Sequence, residues 1–397
     1  MTASNGAAAG ELALSMSGGG ARAAYQVGLL RHVAKLFPEL RVPIMTGVSA
    51  GAINTAYLAN DPRPFAARVS GLADLWASLT TEQVFESHAL PLLLTASRWA
   101  LRLVSGGSKL APPTRGMVDT APLRRFLEAA LGTEEGVLRG IPRNLEAGRL
   151  RAVGLTTTDY ATGQTITHVQ GKDIRTWERP NRRSVLAELG VAHVMASSAL
   201  PLFFPAVRIG DTWHGDGGMR LTAPLAPALH LGAQRILVIS TRYGRSQREA
   251  DQPATVGYPP PAQVIGLLLN AIFLDMVDQD ALRMSRINDL LRLVPEEQRG
   301  DLRVVELLVL RPSVDLAKLA SSYEPRLPQP FRFLTRGLGT RETRSPDSLS
   351  MVMFEPEYLR LLMEIGERDA EARSAELRAF VGGEDLPSVQ RTGFWKI

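Results

Sequence analysis

The chain has 397 residues, 45 basic and 40 acidic, for a formal net charge of +5, with 45% hydrophobic and 21% charged side chains. These proportions belong to a globular protein with a sizeable core and exclude wholesale disorder, a collagen-like repeat and a coiled coil. Cysteine is absent, so the chain can form neither a disulfide nor a thiolate metal site.

Met1 to Gly10 (MTASNGAAAG) is small and polar, is expected to lack fixed structure, and has neither the basic nor the apolar region of a secretory signal. Glu11–Ser17 reads as a short apolar strand, Gly18-Gly19-Gly20 as a turn, and Ala21–Phe37 as a helix. A second strand, Arg41–Thr46, is broken at Gly47–Gly51 before a helix over Ala52–Asn60. Residues 85–115 read as an insertion. Within it, Arg98 and Arg102 share one helical face while Leu94, Trp99 and Leu103 form another, as in an amphipathic helix on the core, a bilayer-lying segment or a lid. Strands follow at Leu150–Thr156 and Arg235–Ser240, the second preceded by a helix around Ala223–Leu231, and Arg175–Arg183 reads as a solvated loop. A Pro-rich polar linker, Gly244–Pro261, leads to a helical Ala262–Val294 with the spacing of a core or dimer helix. A strand at Leu302–Leu310, a loop at Thr335–Asp347 and charged helices around Glu355–Phe380 complete the chain. Both long apolar runs, Leu90–Val104 and Val264–Val277, fall short of the roughly 20 residues of a membrane span. The expectation is a soluble or peripheral protein, cytoplasmic or at the inner membrane surface. Strands alternating with helices imply an α/β fold with a mostly parallel sheet covered on both faces.

The most specific motif is Gly47-Val48-Ser49-Ala50-Gly51, a G-x-S-x-G between a strand and a helix. Such a turn strains the backbone to expose a nucleophilic Ser, and glycines on either side avoid clashes. A Ser nucleophile needs a base. Of six histidines only His230 lies downstream of His214, near the end of a helix, and more than 160 residues follow without another. That order argues against a Ser-His-Asp triad and for a carboxylate base. Asp216 in His214-Gly215-Asp216-Gly217-Gly218 is the candidate, although Asp-Gly is also an ordinary turn dipeptide. Gly18, Gly19 and Gly20, with Arg22 one turn on, offer main-chain amides to an anion. The same glycines fit a dinucleotide fingerprint, but the acidic residue expected at the end of the second strand is replaced there by the G-x-S-x-G. No spacing of His or acidic residues suggests a metal, and the scattered basic residues give little support to nucleic-acid binding. Only five of the 45 basic residues are Lys and the rest are Arg, a fork suited to carboxylate or phosphate.

In the order glycine turn, G-x-S-x-G, D-G-G, the chain resembles the patatin-like phospholipases, Ser–Asp dyad lipid acyl hydrolases. Thr157–Gly163 (TTDYATG), Ala196–Pro201 through Phe204-Pro205, and Met117–Leu127 resemble further blocks of that family, so the likeness covers roughly residues 11–240. Ala23 stands where many members have Gly. The resemblance implies a three-layer α/β/α sandwich over residues 11–243 and a mainly helical C-terminal extension, 262–397, packed on it. It implies Ser49 as nucleophile and Asp216 as general base. It further implies Gly18, Gly19, Gly20 and Arg22 as the oxyanion hole, with Gly47, Gly51, Gly217 and Gly218 supporting the motifs. No cofactor and no metal are called for. The partner is a lipid or acyl-ester substrate, with peripheral membrane contact and a homodimer as further expectations. Acyl transfer, thioester cleavage on the same dyad, or a catalytically quiet lipid-binding scaffold are the alternatives.

Overall fold

The computed structural model describes residues 11–106, 115–255 and 257–383. The first ten residues, the stretch 107–114 of the expected insertion, the side chain of Leu103 and the last fourteen residues lie outside the described residues.

The strands are β1 (Leu12–Met16), β2 (Ile44–Val48), β3 (Ala152–Asp159), β4 (Thr165–Gly171), β5 (Glu178–Arg179), β6 (Arg182–Leu186), β7 (Val207–Ile209), β8 (Thr212–Asp216), β9 (Arg235–Ile239) and β10 (Glu306–Leu310). They form a single sheet in the order β10-β9-β1-β2-β3-β4-β6-β5, with the β7–β8 hairpin attached through β8 to β3. The five strands from β10 to β3 run parallel, as does the β4–β6 pair, while β4 and β8 lie antiparallel to β3. Alternation along each strand explains the three layers. In β9, Leu237 and Ile239 enter one core, and Ile236 and Val238 enter the other; in β10, Leu308 and Leu310 divide from Leu307 and Val309 in the same way. The larger core lies under α1 (Ala23–Leu36), α2 (Ala50–Asn60), α3 (Phe65–Ser78) and the helix Pro356–Ala372; the smaller lies under Ala226–His230 and Asp275–Leu293.

The C-terminal part is mainly helical, and it also supplies β10 to the sheet beside β9. Its helix Pro356–Ala372 lies against α1 with backbones in contact: a side chain at Gly28 would overlap the main chain of Met363, and one at Gly366 that of Leu29. Tyr25 in α1 donates from its hydroxyl to Asp369 at 2.9 Å across this contact. The expected helix Ala262–Val294 is two helices, Pro261–Phe273 and Asp275–Leu293, joined at Leu274. By length and composition the joined stretch Pro261–Leu293 is apolar enough to cross a membrane, longer than the sequence reading allowed because the charged breaks fall late in it. Val277, Ala281 and Met284 of this stretch sit in the smaller core, and Asp275 and Asp278 pair with Arg242.

Two local expectations change. Arg175–Arg183 is not wholly loop: β5 and β6 make an exposed hairpin at the sheet edge, turning at Asn181 with φ 62°. Charged side chains on an edge strand discourage pairing with another chain, which is why a strand here looks like a solvated loop in sequence. The loop expected at Thr335–Asp347 opens with the end of the helix Gln329–Gly337.

The close α1 contact gives a direct test. Gly28→Val should lower stability by about 1–3 kcal/mol or more, because the added atoms meet backbone and not a movable side chain. Urea unfolding at pH 7 measures it, and an unchanged midpoint would mean that the two helices are not held at this distance.

Candidate active site

Ser49 stands between β2 and α2 with φ 56° and ψ −135°, the left-handed strained turn expected of a G-x-S-x-G nucleophile. The sheet register brings Asp216 to it from far along the chain. β2 pairs with β3 up to Val48 opposite Thr156, and the next residue of β3, Thr157, is opposite Asp216 at the end of β8. β8 therefore takes over the edge of β3 where β2 leaves it, so the residues that end the two strands share one point. The T-T-D block of the sequence is the strand that makes this junction: Thr158 donates from its hydroxyl to the Asp216 carbonyl at 2.8 Å. Asp159 then closes the β3–β4 hairpin by accepting from the Ala161 amide and the Thr162 hydroxyl.

The segment after the helix Val191–Ser197 ties the two residues together. Ser197 Oγ accepts from the Ser49 amide at 3.0 Å and donates to the Thr156 carbonyl at 2.6 Å. Ser198 Oγ donates to the Ser49 carbonyl at 3.0 Å, and the Ala199 carbonyl accepts from the Asp216 amide at 3.1 Å. The sequence marked this stretch only by family likeness; its part in aligning the two residues is visible only once the chain is folded.

The third component is the glycine turn. Gly19 has φ 136° and Gly20 φ 57°, conformations that L side chains rarely adopt. A Cβ on Gly18 would come within 2.7 Å of Ser49 Cβ and 3.2 Å of its Oγ, so the Gly18 backbone lies directly against the hydroxyl. The bonds that fix the turn engage its carbonyls: Thr241 donates to the Gly18 carbonyl at 2.6 Å, Gln26 to that of Ser17 at 2.7 Å, and the Arg22 amide to that of Gly19. Among the described residues, no backbone hydrogen bond of the turn uses the amides of Gly18–Gly20 as donors. Gln26 is itself the acceptor of Asn54 Nδ2 at 2.9 Å, and Asn54 Oδ1 accepts from Trp76 Nε1 at 2.7 Å. This fully buried relay locks α1, α2 and α3 behind the turn, and nothing in local sequence announced it. Gly47 and Gly51 flank Ser49 where any side chain would strike main chain, Gly217 lies against the Thr156 carbonyl, and Gly218 lies against Phe273.

Arg22 differs from its expected role. Its guanidinium is buried and is engaged by Asp347 at 2.6 Å and by Ser350 at 2.7 Å, on the C-terminal side of the turn. Its charge is compensated there, so it anchors the turn to the helix Asp347–Val352, and the donors near Ser49 are the amides.

Asp216 is fully buried; its Oδ1 accepts from the Gly218 amide at 2.9 Å. Oδ2 has no partner of full hydrogen-bond geometry, while the Ser49 hydroxyl is near enough to draw the acidity of the carboxyl back toward normal. Catalytic hydrogen bonds are often loose before substrate binds. Burial outweighs both contacts and pushes the carboxyl up to about 7. Among the described residues no cation offsets it. The nearest imidazoles belong to a buried group in which Thr157 Oγ1 contacts His168 and His214 at 3.0 Å each, and His193 stacks edge-on against His168. Burial and mutual repulsion hold His168 and His193 well below the usual imidazole range, so they are neutral at pH 7. His230 stacks on Trp177 at 4.8 Å, against the smaller core. Among the described residues no histidine lines the pocket at Ser49.

That pocket is narrow and apolar, running from Gly19, Gly20 and Ser49 past Ile53, Trp76, Leu127 and Phe204. It suits an alkyl chain whose polar end stops at Ser49. A base, a strained hydroxyl and free amides at the head of an apolar slot are the parts needed for acyl transfer.

The family model for the patatin-like phospholipases matches residues 14–229, more than half of the chain. The chain belongs to the patatin-like phospholipase family, whose members are lipid ester hydrolases. No curated protein sequence matches it. Among solved structures it is similar to VipD from Legionella pneumophila, with 11% identity and a TM-score of 0.30 over 87% of this chain and 67% of that one. It is similar to human GIVD cytosolic phospholipase A2 with methyl γ-linolenyl fluorophosphonate, with 14% identity and a TM-score of 0.43 over 94% of this chain. The ExoU–SpcU complex of Pseudomonas aeruginosa gives 14% identity and a TM-score of 0.26 over 93%. The chain spans 59% of the cytosolic phospholipase A2 chain.

The raised pKa of Asp216 sets opposite pH trends for stability and activity. Below about pH 4 the carboxyl is neutral whether folded or unfolded; from there to about pH 7 only the unfolded chain loses its proton, so this group makes stability fall with rising pH and level off above 7. Asp216→Asn should therefore be more stable than the native protein at pH 8, with the gain vanishing near pH 4. Ester hydrolysis should rise with pH through an apparent pKa near 7. Urea unfolding at the two pH values and a kcat/KM profile check both trends, and a profile governed by a group near 4 would remove Asp216 as the base.

Proposed function

We propose that the protein is a serine lipid acyl hydrolase that cleaves carboxylic ester bonds of phospholipids or other acyl lipids. The observation that carries this reading is a buried carboxyl poised near neutrality beside a strained Ser hydroxyl, at the head of an apolar slot. In this mechanism the Asp216 carboxylate takes the proton of Ser49 as Oγ attacks the ester carbonyl. The resulting oxyanion is met by the amides of Gly18–Gly20, a contribution of about 3–4 kcal/mol per donor. Collapse of the tetrahedral adduct breaks the C–O bond, and the alcohol leaves with the proton from Asp216. Water, deprotonated by the same carboxylate, then attacks the acyl-Ser49 ester and releases the fatty acid. Because the base is buried, water reaches it only through the pocket, and a bound acyl chain keeps competing solvent out.

Ser49→Ala and Asp216→Asn should each reduce hydrolysis of p-nitrophenyl esters and phospholipids by at least about a thousandfold, given the scale of such losses in other Ser enzymes, while His230→Ala stays active. A fluorophosphonate probe should label Ser49 and fail on Ser49→Ala. Activity that survives Asp216→Asn and disappears in His230→Ala would overturn the dyad.

Access to lipid is supported by the helix Ala89–Val104, where Leu93, Leu94, Leu101 and Val104 are 66%, 48%, 54% and 89% exposed. Phe333, on the helix Gln329–Gly337 that packs beside it, is 78% exposed. Together with Arg98 and Arg102 these side chains make an apolar surface with basic residues, suited to an anionic bilayer. Replacing Leu94 and Leu101 by Asp should weaken sedimentation with anionic vesicles by about tenfold or more, since each Leu contributes roughly 1.5–3 kcal/mol when buried. Hydrolysis of a water-soluble ester should be unchanged; equal vesicle binding by the variant would place the contact elsewhere.

A further inference from the structure

Beside the helix Ala89–Val104 lies a second cavity of about 1020 Å³, open to the surface and bounded by the helix Gln329–Gly337 and the 202–203 loop, with the exposed Leu93, Ala96, Ala100 and Phe333 in its lining. Its size is at the upper end of ligand pockets, which run to about 1,000 Å³. The mechanism above does not use it. Its wall, however, is shared with the catalytic pocket. Phe204 lines the pocket at Ser49 and Phe203 lines the cavity, and their rings stack at 5.3 Å with Phe85 and Phe331 closing the cluster. One aromatic partition thus separates two apolar spaces, and only one of them holds the nucleophile.

Two features mark the cavity as a prepared site. Leu202, at the end of the partition, has φ 65°, a strained conformation for a residue with a side chain, and it holds that side chain 72% exposed at the cavity mouth. Such strain persists where surrounding structure enforces it and gathers at binding sites. Here the enforcement is visible: the Met117 amide donates to the carbonyls of Leu202 and Phe203, and Gly116 leaves no room for a side chain against Phe204 and Pro205. The second feature is polar. Trp99 lines the cavity with its Nε1–H buried and without an acceptor, and Arg332 and Arg336 line the same space. A buried donor without an acceptor is costly, and a ligand oxygen would satisfy it.

We propose that this cavity holds the second acyl chain of a diacyl glycerophospholipid while the chain to be cleaved occupies the pocket at Ser49. The proposal rests on the acyl-hydrolase reading and adds its substrate class: the protein selects diacyl over monoacyl esters by housing both chains, one on each side of the Phe203–Phe204 partition. The Trp99 N–H suits an ester oxygen, and Arg332 and Arg336, whose Nη1 and Nε respectively already meet the Pro325 carbonyl and Glu324, keep their other N–H groups for a phosphate. The helix Ala89–Val104 then flanks this chain, with Leu93 shared between the cavity and the exposed surface.

The test uses substrates below their micelle concentration, so that surface binding plays no part. Ala96 and Ala100 line the cavity on an exposed helix that tolerates larger residues, and the variant Ala96→Phe/Ala100→Phe fills it. Expected is a loss of tenfold or more in kcat/KM for dihexanoyl phosphatidylcholine, with p-nitrophenyl hexanoate and monohexanoyl lysophosphatidylcholine unchanged. An equal loss on all three substrates, or no loss on any, overturns the proposal. Occupancy is read independently of turnover in Ser49→Ala protein with dihexanoyl phosphatidylcholine brominated on its chains. Trp76 lines the catalytic pocket and Trp99 the cavity, so the diacyl lipid should quench both and its monoacyl counterpart Trp76 alone. The part of the quenching lost in Trp99→Phe measures the second chain. If the native protein hydrolyses none of these esters, the acyl-hydrolase reading fails by itself; if Trp99→Phe leaves diacyl quenching unchanged, the second-chain site fails whatever the activity.

Discussion

Asp216 is a carboxyl group with no exposure to solvent and no cation at its side, held by one amide and a neighbouring hydroxyl. Ionising it in that position works against folding, and the rest of the site is arranged so that the group stays there. Its backbone is fixed on both sides, by the Thr158 hydroxyl at its carbonyl and by Ala199 at its amide. The imidazoles nearest to β8 are buried and uncharged, so they pack without neutralising it. A cation in their place would lower the carboxyl's pKa and give a more stable protein with a weaker base. Desolvation is therefore the property that Asp216 would need to act as the proposed base near pH 7, and the sheet and its two cores offset what it costs.

The location of the site follows from topology. β1 lies in the middle of the parallel strands, with β2 on one side and β9 on the other, so the chain leaves β1 toward one edge and β9 toward the opposite edge. A crevice opens at the carboxyl ends of such strands. The glycine turn follows β1, Ser49 follows β2, and Thr241, which grips the turn, follows β9. Asp216 arrives from the other direction, because β8 is antiparallel to β3. A parallel strand could not end its chain at this point without a long crossover, whereas a short hairpin delivers the carboxyl with its own backbone already paired.

What could be read in the sequence was local. Ser49 and its glycines occupy five consecutive positions, and the backbone conformation they require is set by those positions alone. The central strands showed because β1, β2, β9 and β10 are short stretches rich in Leu, Ile, Val and Met, and β3 opens on an apolar run, all buried on both faces. β4 and β6 were hidden for the opposite reason: TITHVQG and RRSVL bury Thr, His and Ser that are satisfied across strands, as in Thr156 against Thr167 and Thr157 against His168. Polar residues paired with one another in a sheet have the composition of a loop. Arg22 was legible as a charge near the turn, but its partner Asp347 lies 325 positions away, and no local pattern shows that the charge is spent on it. The Gln26–Asn54–Trp76 relay is hidden in the same way, since each member alone reads as an ordinary helix residue.

The residues that match the family end at 229, yet several atoms that shape the site lie beyond it. Thr241 holds the glycine turn, Phe273 packs on Gly218, and Asp347 with Ser350 fixes Arg22. The Met351 carbonyl occupies the space that a side chain at Gly20 would need, and Met351, Val352 and Phe354 wall the pocket. The glycine turn is thus pressed between the family core and the C-terminal segment. Two of its sides are filled, one by Thr241 and the relay behind α1, the other by the helix that carries Asp347. In the proposed mechanism, donors on a turn fixed in this way act on the developing oxyanion without reorganising. The C-terminal segment therefore bears on the chemistry through the backbone of the turn, and it does so without placing a side chain on the reacting atoms.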